Sequence, residues 1–506
     1  HTCWRAEDDD YYEVTLALYN AAAEIGYGIG KTDAAEKILE EVLTNARSFD
    51  DKLQANATKL QMCVSGDRVS EANELSLELL RQLGESFPSK PTRFHVAAEY
   101  VKTRRMLKGK SNESLLRHYA IVDSRKMAAL KILNVAFSAY FVGHPLLAAL
   151  ASMRMVQISL RAGFCNHSTV AFSTYGMLLC SVMGQVEEGT RFGELALALL
   201  DRFEAKEFIP RVYVAVFGYV FPWTKPIAYD MLLRGYRVGL ETGDIALAMV
   251  NVSLYIFHCL NAPKSLLDVE SERSRFLQEM ASYDQQFTWR LNNHSSLMIQ
   301  QLTGQSQEKQ DVGLDHESDH RWIKYQKLSV AFLLGDYQEA VLCSELNKDL
   351  FLAMESVDIS AYFLFNGMAQ ICLFKQTRKK RRQRIGAAKS CLKDLSRLAR
   401  IAPDYCLPKL RLLQACVSSV SPRKRHATRQ DFLIAIALAQ SSGSFCDEAV
   451  AREQFGRFLI STGKDSLILA GQNQLRLACT VYQRWGAHRK EDMLEKELNL
   501  IGGPST

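Results

Sequence analysis

The segment closest to a known chemical motif is IGYGIGKT at residues 25–32, which ends in the Gly-Lys-Thr of a phosphate-binding loop. That loop requires G-x-x-x-x-G-K-[ST], so a glycine would have to stand at the position of Ile25, and the nearest glycine is Gly26. A phosphate loop also follows a buried strand, whereas residues 16–24 have the apolar spacing of an amphipathic helix. The sequence therefore predicts a turn between two helices here and no nucleotide-binding site.

Two pairs of residues have the side chains that bind metal ions. His316 and His320 would share one face of a helix, but they lie in the polar segment 303–320, which lacks apolar periodicity and offers no third ligand at a useful spacing. Cys165 and His167 also lack further ligands. We predict that the chain holds neither a metal ion nor another cofactor.

Catalytic motifs are missing from the sequence. Nucleophilic catalysis would need a serine or cysteine on a strained turn beside a base, and no G-x-S-x-G occurs. The H-R-D, D-F-G and glycine-rich motifs of protein kinases are absent as well. We therefore expect no catalytic residues in this chain, although an unfamiliar catalytic arrangement stays open.

Residues 375–384, KQTRKKRRQR, form a dense basic cluster that we interpret as an insert in the helical pattern. Such a cluster can serve as a nuclear-import signal or as a binding strip for anions or acidic partners. A solvated loop or helix end is the simpler alternative, because no aromatic residues that could stack on bases are interleaved. The candidate binding residues are Lys375, Arg378, Lys379, Lys380, Arg381, Arg382 and Arg384.

The composition of the 506 residues favours helices, and the length predicts either several domains or one extended array. Hydrophobic residues make up 47% of the chain, and 11 prolines and 28 glycines are few for a turn-rich β protein of this length. The formal net charge of +6 does not by itself imply a nucleic-acid partner. The 12 cysteines are scattered among apolar neighbours without a C-x-x-C pair, which indicates buried thiols in a reducing compartment.

Two long uncharged stretches, residues 132–153 and 162–186, raise the question of a membrane span. Gly143-His144-Pro145 interrupts the first and Cys165-Asn166-His167 the second, so each divides into pieces shorter than the ~20 residues that a span requires. We predict buried helix pairs, no membrane span, and a cytoplasmic location, with nuclear entry through the basic cluster as an alternative.

A recurring unit organises the chain: an apolar-periodic helix, a glycine followed by a polar residue, and a second helix with small residues early in it. In AFLLGDYQEAVLCSE, Gly335-Asp336 forms the turn and Ala340 is the early small residue. Glycine accepts the left-handed conformation at a helix end, and the following Asp can cap the next helix. The other predicted turns of this kind are at Gly66-Asp67, Gly184-Gln185, Gly243-Asp244 and Gly463-Lys464.

Such hairpins bury their apolar stripes only by stacking, so we predict an all-α fold: a TPR-like superhelix of paired helices, that is, a helical-repeat solenoid. We expect one helical array over residues 1–302, a polar loop at 303–320, and a second array over 321–501 that carries the basic insert.

Several blocks carry a resemblance to a known family. EANELSLELLRQLGESFP is followed by LLAALASMRMVQISLRAGFCNHSTVAFSTYGMLLC, then YRVGLETGDIALAMVN, and near the end LACTVYQRWGAHRKEDMLEKE with Trp485-Gly486-Ala487. In this order they resemble the TPR-like helical region of signalling proteins that join serine/threonine kinase, STAND or AAA-type ATPase, GAF and histidine-kinase modules. The family's ATP-binding and kinase motifs have no matching positions here, so the resemblance implies a regulatory and scaffolding segment separated from its catalytic neighbours.

Three functions remain in competition. The first is a non-catalytic scaffold that binds a protein partner or an adjacent domain of the same polypeptide and so regulates a kinase or ATPase. The second is a fragment of an ATP-binding sensor kinase whose catalytic domains lie outside this chain. The third is a nucleic-acid-binding adaptor that uses the basic cluster, which we consider the weakest because stacking aromatic residues are absent from it.

Overall fold

A computed structural model describes residue 4 and residues 9–260, 262, 264–305, 321–345, 356–377, 379–421 and 425–501. Over these residues the chain is helical, and the only β-type pairing among them is an isolated bridge between Ala120 and Phe164. The predicted all-α class is therefore confirmed for the described part of the chain. None of the helices in this part combines the length and the apolar character that crossing a bilayer requires.

The helices are numbered in chain order. The first twelve are α1 (Asp9–Gly28), α2 (Thr32–Asn45), α3 (Leu53–Ser65), α4 (Val69–Gln82), α5 (Arg93–Leu107), α6 (Asn112–Leu116), α7 (Ser124–Gly143), α8 (Pro145–Ala162), α9 (His167–Ser181), α10 (Val186–Arg202), α11 (Ile209–Ala215) and α12 (Tyr229–Thr242). A π-helical turn, Val216–Val220, follows α11 directly. The others are α13 (Ile245–Cys259), α14 (Leu266–Ser282), α15 (Gln286–Thr303), α16 (Arg321–Leu333), α17 (Tyr337–Glu345), α18 (Ile359–Gln376), α19 (Arg381–Ile401), α20 (Pro403–Ser418), α21 (Arg425–Ser442), α22 (Phe445–Ile460), α23 (Asp465–Trp485) and α24 (His488–Ile501).

The described residues form two compact units. The N-terminal unit contains the residues up to Tyr255 together with Phe276–Arg290. The C-terminal unit contains Ile256–Arg275 and the described residues from Leu291 onward. In each unit, helices that follow one another along the chain pack together, as α9 does with α10 and α22 with α23. The boundaries at 302 and 321 stay a prediction, and residues 306–320 of the polar segment lie outside the described residues.

The predicted glycine turns join consecutive helices. Asp244 accepts a hydrogen bond from the Leu247 N–H at 3.4 Å, and Asp336 accepts one from the Glu339 N–H at 3.1 Å, so both cap the helix that follows. The left-handed conformation ends the preceding helix and turns the chain toward the next one. Glycines with positive φ occupy four of these turns: Gly184 (65°), Gly243 (81°), Gly335 (85°) and Gly463 (72°).

The turn between α3 and α4 differs from the prediction in one respect. Gly66 has a φ of −80°, and the left-handed residue is Asp67, with a φ of 62°. Asp tolerates this conformation better than most side chains, and the Asp67 carboxylate forms an ion pair with Arg290 at 2.8 Å. A contact with a residue far along the chain therefore stabilises this turn. The prediction of a left-handed glycine at Gly66 was wrong, because Asp67 takes that conformation.

Small residues lie where paired helices approach closely. A Cβ placed on Gly239 of α12 would lie 2.7 Å from the Cβ of Ala248 on α13, and Ala340 of α17 is fully buried. Larger side chains at these positions would separate the helix axes, because protein interiors are close-packed. The small residues expected early in second helices thus allow the close packing of the pairs.

Both long uncharged stretches are interrupted as predicted. His144 separates α7 from α8, and Pro145 is the first residue of α8, where its missing N–H costs no hydrogen bond. Residues 163–166 separate α8 from α9. Most of the side chains of α8 and α9 are buried, which explains the apolar character of both helices on all sides.

Candidate functional site

Residues 25–32 form the last turn of α1, a connection, and the first residue of α2, so the prediction of an inter-helix turn is confirmed. Gly30 has a φ of 75°, and a Cβ placed on it would lie 2.8 Å from the backbone oxygen of Ser282. The Thr32 hydroxyl donates a hydrogen bond of 2.8 Å to the Asp284 carboxylate. The glycine and the hydroxyl that a phosphate loop would use thus make contacts within the N-terminal unit.

Cys165 and His167, the candidate metal ligands that the structure describes, are not assembled into a metal site with other described residues. No group of three or more His, Cys, Asp or Glu side chains in this part of the chain is arranged to hold a metal ion. His316 and His320 lie outside the described residues. His167 accepts a hydrogen bond of 3.1 Å at Nδ1 from the Asn134 amide, and the Phe208 ring packs edge-on against it with centroids 5.0 Å apart.

The environment of His167 favours the neutral imidazole. Desolvation by burial, reinforced by the nearby charges of Lys131 and Arg211, lowers the pKa of His167 from 6.5 to about 3. Burial also raises the pKa of the neighbouring Cys165 thiol. These two side chains therefore belong to the packing at the start of α9.

This burial predicts a pH dependence of stability. His167 takes up a proton at a higher pH in the unfolded chain than in the folded chain. The stabilisation from burying the neutral imidazole is therefore complete above about pH 6.5 and is lost as pH falls toward about 3. One such group changes the free energy of unfolding by at most about 1.4 kcal/mol per pH unit. Urea denaturation between about pH 7 and about pH 5 should show a weaker pH dependence in His167→Gln than in the wild type. The exposed control His144→Gln should retain the wild-type dependence, and equal slopes in all three proteins would contradict this account.

The structure places the predicted basic cluster at two helix ends and the turn between them. Lys375 is in the last turn of α18, Lys379 and Lys380 are in the turn, and α19 begins at Arg381. Lys380 has a φ of 55°, a left-handed conformation that few side chains adopt. Arg378 lies outside the described residues. We call the described members the basic turn: Lys375, Lys379, Lys380, Arg381, Arg382 and Arg384.

Electrostatics at the basic turn favour an anion. The first turn of α19 contains no acidic residue, so the positive end of the helix dipole coincides with the arginine side chains. The Arg381 guanidinium lies over the Phe374 ring at 4.1 Å, and the Arg384 Nε donates to the Lys379 oxygen at 3.3 Å. None of the six cations forms an ion pair with another residue in the described ranges.

The positive charge continues along the exposed face of α19. Starting from Arg382, basic side chains recur at spacings of seven, four, four and three residues, which keeps them on one face of the helix. All of them are exposed, and none is ion-paired with a described residue. The face extends for about 27 Å at the rise of an α-helix. We call this face the basic stripe: Arg382, Lys389, Lys393, Arg397 and Arg400.

Sequence reasoning missed four of the five stripe residues. Their signal is the 3.6-residue periodicity of Lys and Arg, but the predicted basic insert covers only residues 375–384 and so does not extend to them. Asp394 is the one acidic residue of α19, and burial raises its pKa despite the nearby Lys393 and Arg397. The stripe is therefore a nearly uniform cationic surface.

Comparison with known proteins gives a distant relationship and no family assignment. No established protein-family profile matches the sequence. Hybrid signal transduction histidine kinase G of Dictyostelium discoideum is 18% identical over 281 residues. The aligned region covers 50% of this chain and 8% of that protein, so the chain corresponds to only a small part of its relative's length. The similarity connects the chain, distantly, with a signal-transduction protein.

Proposed function

We propose that this chain is a non-catalytic binding segment of a signalling protein, and that the basic stripe of α19 contacts an acidic segment. The partner is another protein or an adjacent domain of the same polypeptide. Catalytic domains, on this proposal, lie in other parts of the polypeptide or in the partner. The distant similarity to a signal transduction histidine kinase supports the signalling context.

The basic stripe is the observation that carries this proposal. Five exposed cations on one helix face repel one another and are not compensated within the described part of the chain. An acidic segment that lies along α19 would relieve this repulsion and gain attraction from the positive end of the helix at the basic turn. The exposed Lys and Arg side chains provide long, adaptable contacts, as the rim of a protein interface does.

We also propose that the paired helices stack in a TPR-like manner within each unit. Repeated contacts between backbones support it. A Cβ placed on Gly176 of α9 would lie 2.9 Å from the Gly189 oxygen of α10, and one placed on Gly456 of α22 would lie 2.8 Å from the Gly471 oxygen of α23. Helix pairs in both units thus use glycine for the same close crossing, as divergent copies of one hairpin would.

The binding function can be tested by reversing charge on the stripe. The variant carries Arg382→Glu, Lys389→Glu, Lys393→Glu and Arg397→Glu, and we expect it to bind its partner at least about fourfold more weakly, because each of the four lost contacts contributes roughly 0.2–1 kcal/mol. The measurement is quantitative capture of proteins from lysate of the source cells at low and at high salt. Wild-type binding should weaken as salt rises, because salt screens exposed charges.

A second basic group provides a control of equal charge. Arg104, Arg105, Lys108 and Lys110 are exposed in the N-terminal unit, and changing all four to glutamate alters the net charge by the same amount. This control variant should bind like the wild type. Equal loss in both variants, or no loss in the stripe variant, would contradict the proposal. Release of the bound material by nuclease would indicate the nucleic-acid adaptor instead.

A further inference from the structure

The first helix, α1, has apolar side chains on two of its sides. Its inner side buries Tyr12, Ala23 and Tyr27 in a hydrophobic cluster shared with α2. A second set of large apolar side chains points to solvent, and each of them is between 54% and 67% exposed. A surface helix ordinarily has a single apolar side, so the second one requires an explanation. We call the second set the outer face: Tyr11, Val14, Leu18, Ile25 and Ile29.

The spacing of the outer face is that of the seam between two packed helices. Along α1, apolar residues follow one another at alternating intervals of three and four, so they form one line on the helix. The line extends for about 21 Å at the rise of an α-helix. Single exposed apolar residues are common, but a continuous line of them marks an interaction site. The members of the line within α1 are Tyr11, Val14, Leu18, Ala21 and Ile25.

Small residues in the middle of the outer face allow another helix to approach closely. Ala17, Ala21 and Ala22 are exposed beside Leu18. Small residues have the same position where α12 crosses α13 in this unit. The alternating spacing of three and four matches the way a helix, and not an extended segment, contacts its partner. We therefore expect the element that covers the outer face to be a helix.

The charge of α1 defines this partner further. The helix contains four acidic residues and no Lys, Arg or His. Glu13 and Glu24 are exposed on one flank of the outer face, about three helical turns apart. A second copy of α1 would bring further acidic residues without a basic one, and an anionic membrane surface would be repelled in the same way. The complementary occupant is a helix with Lys or Arg beside its apolar side.

We propose that the outer face binds an amphipathic helix of a partner protein, with Leu or Ile at alternating intervals of three and four and with Lys or Arg along its edge. The apolar side of that helix covers Leu18 and Ile25 and removes their surface from water, which drives association. Its cations lie near Glu13 and Glu24 and set the orientation of the two helices. This surface is independent of the basic stripe, because it lies in the N-terminal unit and takes a segment of the opposite charge.

The test uses two designed peptides that differ only in charge. Each contains three repeats of Leu-Ala-Ala-Leu-X-Gln-X, where X is Lys in the first peptide and Glu in the second. Fluorescence anisotropy of each labelled peptide, titrated with the full chain, gives the two affinities. We expect the Lys peptide to bind at least about tenfold more tightly, because like charges across an interface are costly. In Glu13→Gln/Glu24→Gln the ratio of the two affinities should fall to about threefold or less.

A matched pair of variants tests the apolar contacts. Leu18→Gln/Ile25→Gln should weaken binding of the Lys peptide at least about tenfold, because apolar anchors at the centre of an interface contribute most of its affinity. Leu469→Gln/Leu477→Gln makes the same kind of change at exposed positions of α23 and should leave the affinity unchanged. Both variants alter exposed residues, so their urea denaturation midpoints should stay close to that of the wild type.

Several results would overturn the proposal. Among them are no binding of the Lys peptide by the wild type, equal binding of both peptides, and undiminished binding by Leu18→Gln/Ile25→Gln. A dimer in sedimentation equilibrium that this variant abolishes would show that a second copy occupies the outer face. Binding to vesicles of phosphatidylcholine and phosphatidylserine that the same variant abolishes would show a membrane contact in place of a protein partner.

Discussion

Replacing Glu453 by glutamine is expected to destabilise the C-terminal unit by about 3–5 kcal/mol, the usual cost of removing one partner from a buried ion pair. Glu453 is 2% exposed on α22. Its carboxylate contacts the Lys490 ammonium of α24 at 2.8 Å and the Arg457 guanidinium at 2.9 Å, and it accepts a hydrogen bond of 2.6 Å from the Tyr482 hydroxyl of α23. One carboxylate thus joins three helices.

The effect arises mainly from the charge that the substitution leaves behind. Lys490 is 3% exposed, so its ammonium would remain buried without a counter-ion, whereas Arg457 would keep its pair with Glu497 at 2.6 Å. Although desolvation opposes it, attraction by Lys490 and Arg457 lowers the pKa of Glu453 below its ordinary 4.5. The stabilisation is therefore present above about pH 4.5 and is lost as pH falls through the lowered pKa.

The loss of unfolding free energy is measured by urea denaturation, and hydrogen exchange of the backbone amides in α22–α24 shows whether these helices are the ones destabilised. The double variant Glu453→Leu/Lys490→Met should recover more than half of it, because an apolar pair replaces a buried ion pair at little net cost. Glu495→Gln, at an exposed position of α24, should change the free energy of unfolding by less than about 0.5 kcal/mol. A loss in Glu453→Gln as small as in this control would contradict the role assigned to the network.

The second large effect is expected at the crossing of α22 and α23. A Cβ placed on Gly471 would lie 2.7 Å from the Gly456 oxygen and 2.7 Å from the Ile460 Cγ1. Gly471→Ala should therefore destabilise the C-terminal unit by about 1–3 kcal/mol, and Gly471→Val by more, because the helices have to move apart. The intrinsic helix preference of alanine opposes this loss only in part.

The same substitution should have the opposite sign elsewhere. Gly386 lies in α19, and a Cβ placed on it has no neighbour within 4 Å. Gly386→Ala should stabilise the protein by roughly 0.5–1 kcal/mol, because alanine loses less conformational freedom in a helix. Thermal or urea denaturation of the two alanine variants provides the comparison. Stabilisation by Gly471→Ala would show that the backbones do not approach as closely as the structure indicates.

Local signals made the helices and most of their connections predictable. Apolar periodicity located the helix pairs, and glycine followed by a polar residue located the turns at Gly184, Gly243, Gly335 and Gly463. Of the cysteines predicted to be small buried hydrophobes, Cys180 is buried and Cys372 is half-buried, and burial raises the pKa of each thiol. These features depend on residues within a few positions of one another, so the sequence carries the information directly.

Features that depend on distant pairs could not be predicted in this way. The left-handed Asp67 is held by Arg290, and Glu453 meets Lys490 across 37 positions. The buried pair of Lys409 and Asp447, 2.7 Å apart, joins helices in the same manner. Charged residues in a helical sequence are usually solvated, so nothing in their type or spacing indicates that these particular ones are buried.

The candidate binding surface depends on local signals as well. Residues of the basic turn were identified from composition, and the stripe on α19 could have been identified from its spacing.

Site-specific photo-crosslinking in the source cells tests the binding function most directly. Benzoylphenylalanine is placed at Lys393, in the middle of the basic stripe, and in a second protein at Arg104, an exposed position of α5. We predict that Lys393 crosslinks to one protein, or to one other domain of the same polypeptide, through a peptide rich in Asp, Glu or phosphate, and that Arg104 does not. No product from Lys393, or the same products from both positions, would contradict the proposal that α19 is the binding surface of a signalling protein.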